Sequence, residues 1–204
     1  MTTRHPSASP TPIRFGSRPT VATGFVRRKG QDELFEAVFT RAEPRTELTG
    51  MRGSGKTQLA AAVAARCEEE GWPLVAWIHA ASRKEILAGL YEFALRIGID
   101  APKNIPLEVI VQRLLDRLRS AEAADRLFVF DNVENPDDLR DLIPDGAGVR
   151  TLITTTGHLD WDGLGWLRLA VGAFDREQSV SLLCEHTGDT HREAADRIAD
   201  ALGD

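Results

Sequence analysis

The chain has 204 residues, with 25 Lys and Arg against 31 Asp and Glu for a formal net charge of -6, and 42% of its residues are hydrophobic. That is enough chain to bury a core without a disulfide or metal staple, and no apolar run approaches the ~18 residues of a membrane span. The two cysteines, Cys67 and Cys184, stand far apart without ligand spacing, which argues against a disulfide framework or a zinc module and for a reducing, cytoplasmic setting.

The charge is unevenly spread. Residues 1–30 hold Arg4, Arg14, Arg18, Arg27, Arg28 and Lys29 and no acid, a local charge of +6 that leaves -12 for the remainder. Pro6, Pro10, Pro12 and Pro19 stand among Ser and Thr with no helical or strand period, so residues 1–24 read as a disordered basic leader. A flexible tail or linker and an organellar transit peptide both fit that composition. The acidic body lacks the basic stripe that direct nucleic-acid binding requires.

Taken in order, Leu34, Phe35, Val38 and Phe39 recur at helical spacing from Gln31 to about Ala42, and Pro44 ends that helix. Arg45 to Thr49 is a short polar segment leading into a glycine-rich loop. Leu59, Ala60, Val63, Ala64 and Cys67 then form one face of a helix stopped by Gly71. The run LVAWI at 74–78 is a buried strand. Ser82 caps a helix to about Arg96 with Ile86, Leu87, Leu90 and Leu95 inward, and a further helix spans about Pro106 to Ser120 on Val109, Val111, Leu114, Leu115 and Leu118.

LFVF at 127–130 is a second apolar strand and ends on Asp131. A short helix near Asp137–Leu142 precedes strands at 151–154 and, more weakly, 166–171. Asp175 and Gln178 form a capping box for a helix over Val180, Leu182 and Leu183, and a last helix covers about 190–202. Strands alternating with helices predict an α/β fold with a mainly parallel sheet covered on both faces.

The sharpest motif is Gly50, Met51, Arg52, Gly53, Ser54, Gly55, Lys56, Thr57, which has the Walker A spacing. Gly53 and Gly55 permit positive φ and close approach to a phosphate, and the helix that follows directs its positive end at the same point. Lys56 supplies an ammonium for the β and γ phosphates and Thr57 a hydroxyl for Mg2+. A strand feeding such a loop is ordinarily central and apolar, yet RTELT contains only Leu48. Either this strand is short and locally exposed, or the domain has drifted. The partner feature is an acid at the end of another buried strand, which Asp131 fits as the second magnesium residue.

With these residues in view, the chain from about 25 to 204 resembles the STAND class of signalling ATPases, in particular the NB-ARC type. FVRR at 25–28 resembles that family's FVGR motif, LTGMRGSGKTQLA its phosphate-loop region, LFVFDNVENPDDL its magnesium-acid strand and TLITTTGHLDW its sensor strand. The resemblance implies a P-loop NTPase three-layer α/β/α sandwich over residues 25–174 and the start of a small helical subdomain over 175–204. It implies ATP or ADP with Mg2+ as ligands, Phe25, Val26 and Arg28 against the adenine, and a role in signal transduction. Departures bear on turnover: Asn132 replaces a second acid and leaves Glu134 as the nearest group to polarise water, while Thr156 stands where the sensor arginine is expected. Family members continue into a GLPLA motif and a winged helix, so protein partners or further domains beyond residue 204 are implied.

The expected function is an ATP/ADP-binding regulatory module with slow or absent hydrolysis and without membrane attachment. A small-molecule P-loop kinase is an alternative, although only the scattered Arg150, Arg168 and Arg176 could supply its lid. An NTPase-like interaction scaffold is another. GTP specificity has no NKxD-like motif behind it. Five histidines lack metal-ligand spacing, His79 reads as a hydrogen-bonded structural residue, Trp161 and Trp166 as core anchors, and Glu68 to Glu70 as a solvated helix end.

Overall fold

The computed structural model describes residues 11–22, 30–157, 165–187 and 191–202. Its strands are β1 (Ile13–Phe15), β2 (Arg45–Thr49), β3 (Leu74–His79), β4 (Arg126–Asp131), β5 (Val149–Thr155) and β6 (Leu167–Ala170). Its α-helices are α1 (Gln31–Phe35), α2 (Lys56–Glu69), α3 (Arg83–Arg96), α4 (Leu107–Ser120), α5 (Arg176–Thr187) and α6 (Arg192–Leu202). The strands form one six-stranded sheet in the order β1-β3-β4-β5-β2-β6, and the described pairings are all parallel. The expected α/β architecture is therefore present.

Parallel strands need crossovers, and the helices that make them cover both faces of the sheet. On one face Ala76, Ile78, Phe128, Phe130 and Ile153 pack with Ile86, Leu90 and Phe93 of α3 and with Ile110, Leu114 and Leu118 of α4. On the other, Leu48, Val75, Trp77, Leu127, Val129 and Leu152 meet Leu59, Ala60, Val63 and Cys67 of α2 and Leu34 of α1. The two-residue period of the strands sorts these side chains. It also assigns His79 and Asp131, the last residues of β3 and β4, and Thr154, the penultimate residue of β5, to the α2 face at the carboxyl end of the sheet.

Several sequence expectations change. Ile13–Phe15 is not part of a structureless leader but pairs with β3, and Phe15 stacks on Phe93 at 5.2 Å between ring centroids. Three residues behind a proline are too few to show a period. Beyond β1 the chain turns at Gly16, where φ is +82° and an added methyl would lie 1.9 Å from Trp77 O. It then runs along α2: Arg18 pairs with Glu68, while Gln58 accepts from Ala22 N and donates to Thr20 O. Glu68 is thus an ion-pair partner of Arg14 and Arg18 rather than a purely solvated acid.

The first helix widens after Phe35 into a π-helical turn over Glu36–Thr40, where Arg41 N donates to Glu36 O. The short segment near 137–142 is a 3₁₀ turn at Pro136–Asp138. Leu95 and Val109 are exposed, and Phe93, Ala94 and Ile110 are buried in their stead. At 100° per residue, Leu95 lies about 140° round the helix from Leu90, and Val109 about 160° from Val111, so neither belongs to the inward stripe. The polar β2 proves central rather than exposed: Thr46, Glu47, Leu48 and Thr49 are buried between β5 and β6.

Candidate phosphate-binding site

The loop between β2 and α2 carries the glycine motif, and its glycines take the conformations that only they adopt readily: φ is +153° at Gly50, +82° at Gly53 and +85° at Gly55. Gly50 is also constrained sterically, since an added methyl would stand 2.3 Å from Val171 O. Gly55 N-caps α2 in a left-handed conformation, so Lys56 and Thr57 occupy the first turn, where the helix presents its positive end. Met51, Arg52 and Gly53 are exposed at the loop tip, and Ser54 is buried.

Lys56 is buried at 7% exposure and its Nζ donates to Gly50 O at 2.8 Å and Met51 O at 2.7 Å. Burial holds its ammonium below the usual lysine range, and the nearby Asp131 carboxylate partly offsets that. The lysine therefore places two of its three donors on the loop's own carbonyls.

Thr57 Oγ1 donates to Asp131 Oδ1 at 2.9 Å, which joins the loop helix to the end of β4 across 74 positions of sequence. The same Oδ1 accepts a second hydroxyl, from Thr154 at 2.6 Å. Asn132 follows with φ of +67°, a conformation that asparagine tolerates better than most residues. Its N–H donates to Thr154 Oγ1 at 2.8 Å and its Nδ2 to Glu134 Oε1 at 3.2 Å. Thr154 gave no sequence signal beyond its place in an apolar strand. Thr156 is exposed two residues further on. Phe25, Val26 and Arg28, expected against an adenine, lie outside the described residues, as does Trp161. Trp166 is half-buried against the core on the α3 face.

Two cavities flank the loop and Asp131. One, of about 340 Å³, is lined by Gly30, Glu33, Ala170, Val171, Asp175 and Gln178. The other, of about 440 Å³, is lined by His79, Ala80, Glu85, Asp131 and Asn132. His79 is exposed there, and no hydrogen bond of its side chain is found among the described residues, in contrast to the hydrogen-bonded role expected of it. The three arginines available to a kinase-like lid are ion-paired elsewhere: Arg150 with Asp125, Arg168 with Glu47, and Arg176 with Asp196 and Asp200. No helix among the described residues is long and apolar enough to cross a membrane.

No family model matches the sequence, and no curated protein matches it either. Solved structures do. Cdc6p from Pyrobaculum aerophilum superposes with a TM-score of 0.57 at 16% identity, covering 83% of this chain and 52% of that one. The Aeropyrum pernix ORC2 protein, solved as ADPNP–ADP complexes, gives 0.61 at 17%, covering 90% and 59%. A Signal Transduction ATPase with Numerous Domains (STAND) protein with a tetratricopeptide repeat sensor, from Pyrococcus horikoshii, gives 0.56 at 17%, covering 93% and 30%. The chain thus spans between about a third and three fifths of these proteins, and what it shares with them is the fold.

Proposed function

We propose that this chain is an ATP- or ADP-binding regulatory module of the STAND type, with the motif pattern of NB-ARC domains and with slow or absent hydrolysis. The observation that carries the reading is the convergence of Lys56, Thr57 and Asp131 at the carboxyl end of the sheet, with the glycine loop and the start of α2 between them. The loop from Gly50 to Gly55 cradles the phosphates, with Arg52 at its tip. The cavity lined by Gly30, Val171 and Gln178 is the space for the nucleoside. Phe25, Val26 and Arg28 lead toward it in sequence.

Magnesium fits the donors present. Thr57 offers a hydroxyl and Asp131 a carboxylate, both hard oxygens, and Asp131 Oδ2 carries no hydrogen bond among the described residues. Bound there, the ion would neutralise phosphate charge. Slow turnover follows from the groups around it. Asn132 occupies the position of a second acid, Glu134 is engaged with Asn132, and Thr156 brings no charge.

In this reading residues 25–174 hold the nucleotide, 175–204 open a helical subdomain, and β1 belongs to the sheet although it lies within the leader. The setting is cytoplasmic and the output passes to partner proteins or further domains. Calorimetric titration of ATP tests the core of it. Lys56→Ala should weaken binding at least about tenfold, because a buried ammonium to phosphate contact is lost. Equal affinity in the two proteins would sink the reading.

A further inference from the structure

We infer that Thr154 is a positioning residue for the Asp131 carboxylate: it fixes which oxygen faces the metal and holds in place the turn that follows. The inference rests on the reading of Asp131 as the magnesium carboxylate and deepens it. Phe130 pairs with Ile153 across β4 and β5, and the next residue on each strand is Asp131 and Thr154. Both belong to the α2 face by the strand period, so their side chains meet one strand spacing apart.

Three bonds tie Thr154 to three consecutive residues. Its hydroxyl donates to Asp131 Oδ1 at 2.6 Å and accepts from Asn132 N at 2.8 Å, while its carbonyl accepts from Val133 N at 2.8 Å. A threonine hydroxyl has one proton, and here that proton goes to a carboxylate in a short, charge-assisted bond. The hydroxyl therefore cannot also donate to a nucleotide, which separates Thr154 from a sensing residue such as one expected at Thr156. The residue is 2% exposed and its side chain is β-branched, so its rotamer is held by the strand.

Thr57 and Thr154 converge on the same oxygen, Oδ1. With two donors on one oxygen, one from α2 and one from β5, the carboxylate is pinned about its terminal torsion and Oδ2 is left for the metal. With Thr57 alone, the group would pivot about one bond. The same hydroxyl anchors Asn132 in its positive-φ conformation, so losing it would release the turn as well as the carboxylate.

The test is calorimetric titration of a non-hydrolysable ATP analogue in EDTA and across a Mg2+ series, with a thermal melt of each protein. Thr154→Val should bind the analogue without metal within twofold of the unsubstituted chain. Its Mg2+ midpoint should rise about tenfold, the lower end of what outer-shell substitutions cost metal sites. Thr154→Ser should restore the midpoint to within twofold. In an Asp131→Ala background, Thr154→Val should move the Mg2+ midpoint no further. If Thr154→Val does not melt cooperatively, Thr154→Ala is read in its place. An unmoved Mg2+ midpoint in a folded variant overturns the inference, as does a metal-free loss equal to the loss with metal. In either case analogue binding by the unsubstituted chain leaves the nucleotide reading standing. Failure of the unsubstituted chain to bind the analogue at all overturns both.

Discussion

Glu47 is fully buried in the strand that feeds the glycine loop, with Oε2 on Arg168 Nε at 2.9 Å and Oε1 without a hydrogen-bond partner among the described residues. A buried carboxylate in that state depends on the cation that pairs with it, because taking it out of water costs several kcal/mol that only pairing offsets. Arg168 keeps 44% of its side chain exposed, which weakens the pair relative to a fully enclosed one. Arg168→Ala should therefore destabilise the fold by about 2 kcal/mol in urea titration, somewhat below the loss typical of a deeply buried pair. Adding Glu47→Leu to it should cost less than the two single losses summed. Strict additivity would show that the two charges are not coupled. Lys56 makes the complementary point: its burial is tolerated because two carbonyls of the loop take two of its donors.

Among the elements, α4 gives the cleanest case of phase deciding consequence. Ile110, Val111, Leu114, Leu115 and Leu118 form its buried stripe, and Val109 stands 41% exposed beside it. Ile110→Ala should cost about 3 kcal/mol through lost transfer energy and a residual cavity. Val109→Ala should stay within about 0.5 kcal/mol. Equal losses on denaturant unfolding would mean that α4 is rotated from the phase described. The segment from β1 to Ala22 shows a different kind of element, one held less by period than by discrete ties. Arg14 reaches Trp72 O, Arg18 reaches Glu68, and the Gln58 amide makes paired bonds to Thr20 and Ala22 one residue beyond Thr57. The start of the described chain is thereby fastened to the helix that carries Lys56.

For the whole molecule, the sheet with its two helical layers and the α5–α6 hairpin differ in how much apolar surface they bury. The hairpin has a small core of Val180, Ala195 and Ala199, with Leu183 and Cys184 against it and Arg176 bridging to Asp196 and Asp200. Its amides should exchange with solvent before those of β3 and β4, and denaturant should open it first. Exchange at one common rate, with coincident unfolding transitions, would place the hairpin in the same cooperative unit as the sheet. The sequence by itself determined much of this molecule. The strand runs at 74–78, 127–130 and 151–154, the helical stripe of α2, the Ile86–Leu90 part of that of α3 and the Asp175–Gln178 capping box follow from steric period and local hydrogen bonding. The glycine spacing of the loop follows from the same local rules. Tertiary structure alone decided that polar β2 is central, that Ile13–Phe15 completes the sheet edge, and that Thr154 meets Asp131. Those outcomes rest on partners far away in the chain, as with Glu47 and Arg168 at 121 positions apart, and a buried charge becomes legible only when its distant counter-charge is in place.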